Sequence, residues 1–174
     1  MRKSILYKVT LFAILIMVIS ACSTKKNTSG TRFYHSLTAR FNTYFNGHEA
    51  YKEGVKAQQD GHKDNYTELL PINNVRDKKT AAIGKSNFET AITKSEKAIK
   101  KHSIKARPKT NVNKRKTAKE KAYLARKEFN PFLKHAWLLM GKAQFQQGNF
   151  IEAASTFNYI ANLYAGQADV VSVA

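Results

Sequence analysis

One cysteine in 174 residues is too few for a disulfide framework or a cysteine-based zinc site. The five histidines (35, 48, 62, 102 and 135) never fall three or four residues apart, so no metal-binding helix face can be read from them. The chain also lacks a nucleophile elbow, a P-loop and a glycine-rich dinucleotide fingerprint. Acidic residues are scarce: 12 Asp and Glu face 30 Lys and Arg, a net charge of +18. Such an excess ordinarily points to nucleic acid or an anionic membrane surface, depending on where the chain resides. Apolar residues make up 43%, with 10 Phe and 8 Tyr, which excludes a wholly disordered chain.

The location is written in residues 1–21, which read as a secretory leader. Arg2, Lys3 and Lys8 precede the apolar run Val9 to Ile19, and small residues follow it. At about eleven residues the run is too short to cross a ~30 Å hydrocarbon core. Ile19, Ser20, Ala21 and Cys22 resemble a bacterial lipobox, in which the thiol of the last residue receives a diacylglyceryl group and the chain is cut before it. Two or three acyl chains on Cys22 would anchor the protein durably, because one chain alone binds only marginally. With Ser23 next and no acidic run behind it, that resemblance implies retention at the outer membrane, facing the periplasm.

Residues 22–32 read as a lipidated polar tether. Over 33–59 the spacing of Tyr34, Leu37, Phe41, Tyr44 and Phe45 predicts an amphipathic helix with this stripe in the core. Asn46-Gly47 is read as its stop, and a second helix from His48 to Gln59 completes a hairpin. Residues 60–87 are expected to be loop. Residues 88–101 (Phe88, Ala91, Ala98) should form a helix capped by Ser86-Asn87 and resembling the second half of a repeat. Residues 102–128 read as a solvated basic linker running into a helix, with Thr117 and Glu120 at capping-box spacing and Ala118, Ala122, Ala125 and Phe129 on one face. Between Lys94 and Lys127 fourteen Lys and Arg meet only Glu96 and Glu120, so most of the chain's charge is concentrated there.

Residues 129–167 carry the most specific pattern. Trp137, Met140 and Gly141, then Gly148, Phe150, Ala153 and Phe157, resemble a tetratricopeptide repeat. In such a hairpin Gly141 and Ala153 allow close helix approach, Gly148 makes the turn, and Trp137, Phe150 and Phe157 fill the space between. Residues 168–174 read as the start of a further repeat. The expected fold class is therefore all-α: helical hairpins including one clear repeat, joined by a tether and a basic linker.

The run from Tyr34 to Gly47 (YHSLTARFNTYFNG), together with Cys22–Thr28, resembles the amino-terminal part of the PorW/SprE-type lipoproteins of type IX secretion and gliding in Bacteroidota. The resemblance implies a scaffold with no enzymatic role and no cofactor beyond the lipid on Cys22, and with other secretion-machinery proteins as partners. The basic segment 94–127 would then meet anionic lipid headgroups or an acidic protein, and no nucleic acid is expected in the periplasm. Two other readings stand beside this one: a repeat lipoprotein of outer-membrane β-barrel assembly, and a binder of anionic polymers through the basic segment. The lipobox has a direct check. Radiolabelled palmitate should enter the protein in growing cells, and Cys22→Ala should abolish its incorporation.

Overall fold

A computed structural model describes residues 23–64, 66–67, 69–70, 72–73, 75, 78–167, 170 and 172. Ile19, Ser20, Ala21 and Cys22, the expected lipobox and lipid-attachment residue, lie outside the described residues, as does most of 168–174. Among the described residues all regular structure is helical: α1 (Ser29–Thr38), a π-helical segment (Ala39–Tyr44), α2 (Phe45–Gly61), α3 (Lys78–Ala82), α4 (Lys85–His102), α5 (Ala118–Leu124), α6 (Leu133–Gln146) and α7 (Phe150–Leu163). The all-α expectation holds.

The first hairpin is not where the sequence placed it. Residues 29–61 form one continuous helix interrupted only by the π segment, and Asn46-Gly47 lies within it. The glycines of α2 serve close packing instead of a turn. Gly47, Gly54 and Gly61 recur every seven residues on one face. A Cβ at these positions would come within 2.9 Å of Lys94 Cβ, 2.8 Å of the Phe88 ring and 2.9 Å of Ile83 Cδ1. Contacts that run down α4 as they run up α2 make the two helices antiparallel, so α2 and α4 are the true first hairpin.

This close approach also decides how α4 begins. Its N-cap is Gly84, at φ +70°, where a side chain would meet the Gly54 carbonyl oxygen at 2.9 Å; Ser86 and Asn87 lie inside the helix. The helix therefore spans 85–102 rather than 88–101. The expected loop 60–87 narrows to the stretch between Gly61 and Lys78, followed by the short α3.

Helix α6 packs on the other side of α4. Leu133 and Ala136 meet Ala98, and Ala143 meets Phe88 and Ala91, again antiparallel. The Gln58 side chain donates to the Gln146 carbonyl at 2.8 Å and ties α2 to α6. Helix α7 then folds back on α6, with Gly148 at φ +78° in the turn. A Cβ on Gly141 would meet the Phe157 ring at 2.8 Å, Ala153 and Met140 are buried, and Trp137 stacks obliquely on Tyr159 at 4.8 Å. Phe150 departs from expectation: it is 42% exposed and leans edge-on against Phe145 instead of filling the hairpin. Beyond α7, Val170 is buried against Ile160 and Tyr164.

The result is a row of antiparallel helices, α2, α4, α6 and α7, in which a glycine faces a phenylalanine ring in both hairpins: Gly54 with Phe88, and Gly141 with Phe157. Such contacts leave no room for larger residues. Gly54→Leu should destabilise the chain by about 1–3 kcal/mol through overpacking. Gly30→Ala, in a helix with open space around it, should be neutral or stabilising by about 0.4–1 kcal/mol. Urea midpoints of the two variants check both statements.

Candidate functional site: a basic cleft beside the tether

The tether and the basic excursion meet in space although Asn27 and Ala106, which join them, are 79 residues apart in sequence. Residues 23–26 make a tight turn, and Thr28 caps α1 by accepting from the Thr31 amide at 3.1 Å. Order thus begins before residue 33, and 23–32 is not a free tether. Asn27 bridges the two segments: its side-chain amide donates to the Ala106 carbonyl at 2.7 Å, and its oxygen accepts from Arg32 at 2.6 Å. Arg32 and Arg126 both approach the Tyr123 ring of α5, at 5.9 and 5.2 Å from its centroid.

Two clefts flank Arg32. One, of about 670 Å³, is lined by Lys25, Lys26, Arg107 and Lys109 together with the first residues of α1. The other, of about 500 Å³, is lined by Lys114, Lys116, Lys119 and Tyr123. Glu120, the acid at the second cleft, is already engaged. It completes the expected capping box with Thr117, whose backbone N–H donates to its carboxylate at 2.8 Å. That bond, helped by the Thr117 hydroxyl and by Lys114 and Lys116, holds its pKa below the usual carboxylate range. Helix α5 is short and buries none of its residues; Phe129 is buried but lies beyond it.

The excursion is closed at its base by one side chain the sequence did not reveal. Glu128 is buried and accepts from the Ser103 hydroxyl and from the backbone N–H groups of Ile104 (2.9 Å), Phe129 (3.0 Å) and Asn130 (2.8 Å). Asn130 in turn donates to the His102 carbonyl at 2.9 Å, and the Phe129 amide to Ile104 O at 3.0 Å. Residues 105–116 leave this clamp largely exposed, in agreement with a solvated linker.

Next to the clamp the structure joins two histidines 67 residues apart. His35 and His102 face each other through Nδ1, 3.0 Å apart, and His35 Nε2 is buried without a partner. An imidazolium would need an acceptor at each nitrogen, and this site offers none at His35 Nε2. Burial lowers the pKa of His35; at His102 burial, then His35 and Lys101, lower it to about 4. Among the described residues no group of three or more His, Cys, Asp or Glu could hold a metal.

No protein-family model matches the chain, and no curated protein is significantly similar to it.

The histidine pair makes stability pH-dependent with a definite sign. The unfolded chain protonates these rings near pH 6.5, and the folded chain does so below that, for His102 at about 4. The folded state therefore loses stability as pH falls from about 6.5 towards 4, and is unaffected above. Urea midpoints at pH 7.5 and 5.5 should show this loss, and His102→Gln should remove the larger part of it.

Proposed function

We propose that this chain is an outer-membrane-anchored, periplasm-facing scaffold of type IX protein secretion and gliding, held by acyl groups on Cys22. The observation that carries the reading is the row of tight helical hairpins, in which Gly141 against Phe157 is echoed by Gly54 against Phe88. Stacked hairpins of this kind extend by repetition and present long surfaces to partner proteins. The lipobox and the Tyr34–Gly47 resemblance supply the compartment and the system. The scaffold needs no cofactor and no covalent chemistry: lipid fixes one end, and the helices offer the other to secretion-machinery partners. In the same reading Trp137, Met140, Gly141, Gly148, Ala153 and Phe157 are the packing residues of a tetratricopeptide repeat, with Phe150 at its edge.

The basic segment 94–127 serves this role as a contact for anionic lipid headgroups or an acidic protein. In the periplasm it does not meet nucleic acid.

Deletion of the gene, complemented by the wild type or by Cys22→Ala, tests the proposal. Cargo secretion should fail in the deletion while outer-membrane barrels remain at normal levels, and only the lipidated form should restore it. Intact secretion with defective barrel insertion would overturn the proposal in favour of an assembly role.

A further inference from the structure

Most of the aromatic stripe predicted to be core is exposed; of its members only Tyr44 packs inward, against Phe132 and the cluster of Ala39, Ala98 and Leu133. Leu37, Phe41 and Phe45 of that stripe are 46%, 57% and 53% exposed, and Phe33, outside the expected stripe, joins them at 69%. The buried face of the same helix is made of Thr31, His35, Ala39, Thr43 and Gly47, so the side turned away from the protein is the greasy one.

The π segment accounts for the shape of this surface. In a regular α-helix, residues four apart drift by about 40° per step, and four such side chains would wind around the axis. The wider turn over Ala39–Tyr44, closed by the Phe45 amide bonding to the Arg40 carbonyl, takes that drift back. Leu37, Phe41 and Phe45 consequently stay in line as a ridge. Rare π turns of this kind recur at functional sites.

The charges on the ridge's own segment share one sign. From residue 23 to residue 48 there is no acid, and Lys25, Lys26, Arg32 and Arg40 are the charged groups. Arg40 lies over the Phe41 ring at 5.2 Å, and Arg32 opens into the clefts lined by Lys and Arg of the excursion. Only residues 23–28 separate Cys22 from the first turn of α1.

We propose that the Phe33–Phe45 ridge and its basic flank form a membrane-contact face, with α1 and the π segment lying in the interface of an anionic phospholipid bilayer. An apolar stripe along one side of a helix, bordered by Lys and Arg, is the pattern that buries to the headgroup–acyl boundary without spanning. A partner helix would instead need a groove to receive it, and the surface here is a protruding row. The one-signed charge favours anionic headgroups. The inference rests on the proposed anchor only in that an acylated Cys22 would hold this helix near the bilayer; the ridge itself is present in the unlipidated chain.

The test uses the full mature chain carrying Cys22→Ala, so that acyl groups play no part. It should co-sediment with vesicles of phosphatidylethanolamine and phosphatidylglycerol at 3:1, and far less with phosphatidylcholine alone. The exposed pair Phe41→Ser/Phe45→Ser should lower the partition coefficient about tenfold or more. In a Phe41→Trp variant, which keeps the ridge apolar, vesicles containing brominated acyl chains should quench fluorescence that Trp137 in the wild type does not lose. Unchanged binding by the serine variant, absence of that quenching, or a concentration-dependent dimer abolished by the serine substitutions would overturn the proposal. Vesicle binding without palmitate incorporation in cells would remove the anchor and leave the ridge. Palmitate incorporation without vesicle binding would do the reverse.

Discussion

The structure turns on one buried carboxylate. Glu128 takes hydrogen bonds from both ends of the basic excursion, which would otherwise be a long, self-repelling loop between α4 and α6. A charge removed from water is tolerated only when its lone pairs are filled, and here four donors fill them. Closure at 102–104 and 128–130 brings Leu133 and Ala136 back onto Ala98, and this sets the register of α6 on α4. The α6–α7 hairpin inherits its position from that contact. The excursion is left outside the packed helices, where its cations repel one another less and lie beside the tether.

Local patterns were legible in the sequence and long-range ones were not. The α6–α7 hairpin could be read because Trp137, Gly141, Gly148, Ala153 and Phe157 all act within some twenty residues of one another. The Thr117–Glu120 capping box was readable for the same reason. Periodicity also located the aromatic stripe of 33–45, but a period reveals only that a helix has two faces. Which face is buried depends on what α4 presents, and α4 accepts the small residues Ala39, Gly47 and Gly54. Gly47 looked like a helix stop because glycine serves turns and close approaches equally well; its seven-residue spacing with Gly54 and Gly61 was the signal that could have decided between them. Glu128 and the His35–His102 pair gave no signal, since their partners are distant in sequence or are backbone atoms.

The charge of the chain takes on a position through this architecture. Asn27 joins the tether to Ala106, and Arg32 stands between two clefts lined by Lys and Arg. The cations of the excursion and those of the tether therefore act as one patch beside residues 23–28. Helices α6 and α7, which carry the repeat-like packing, border that patch: Trp137, Tyr159 and Leu163 share a cleft with Thr24, Lys25, Lys100 and Lys105.

Hydrogen–deuterium exchange of the intact chain, resolved to short peptides, tests this arrangement most directly. If Glu128 closes the excursion, the amides of Ile104, Phe129 and Asn130 exchange as slowly as those of α4 and α6, while residues 107–116 exchange at nearly unprotected rates. Equally fast exchange at Ile104 and at 128–130 would contradict the account, because the excursion would then be open at its base and α6 would lack its fixed place on α4.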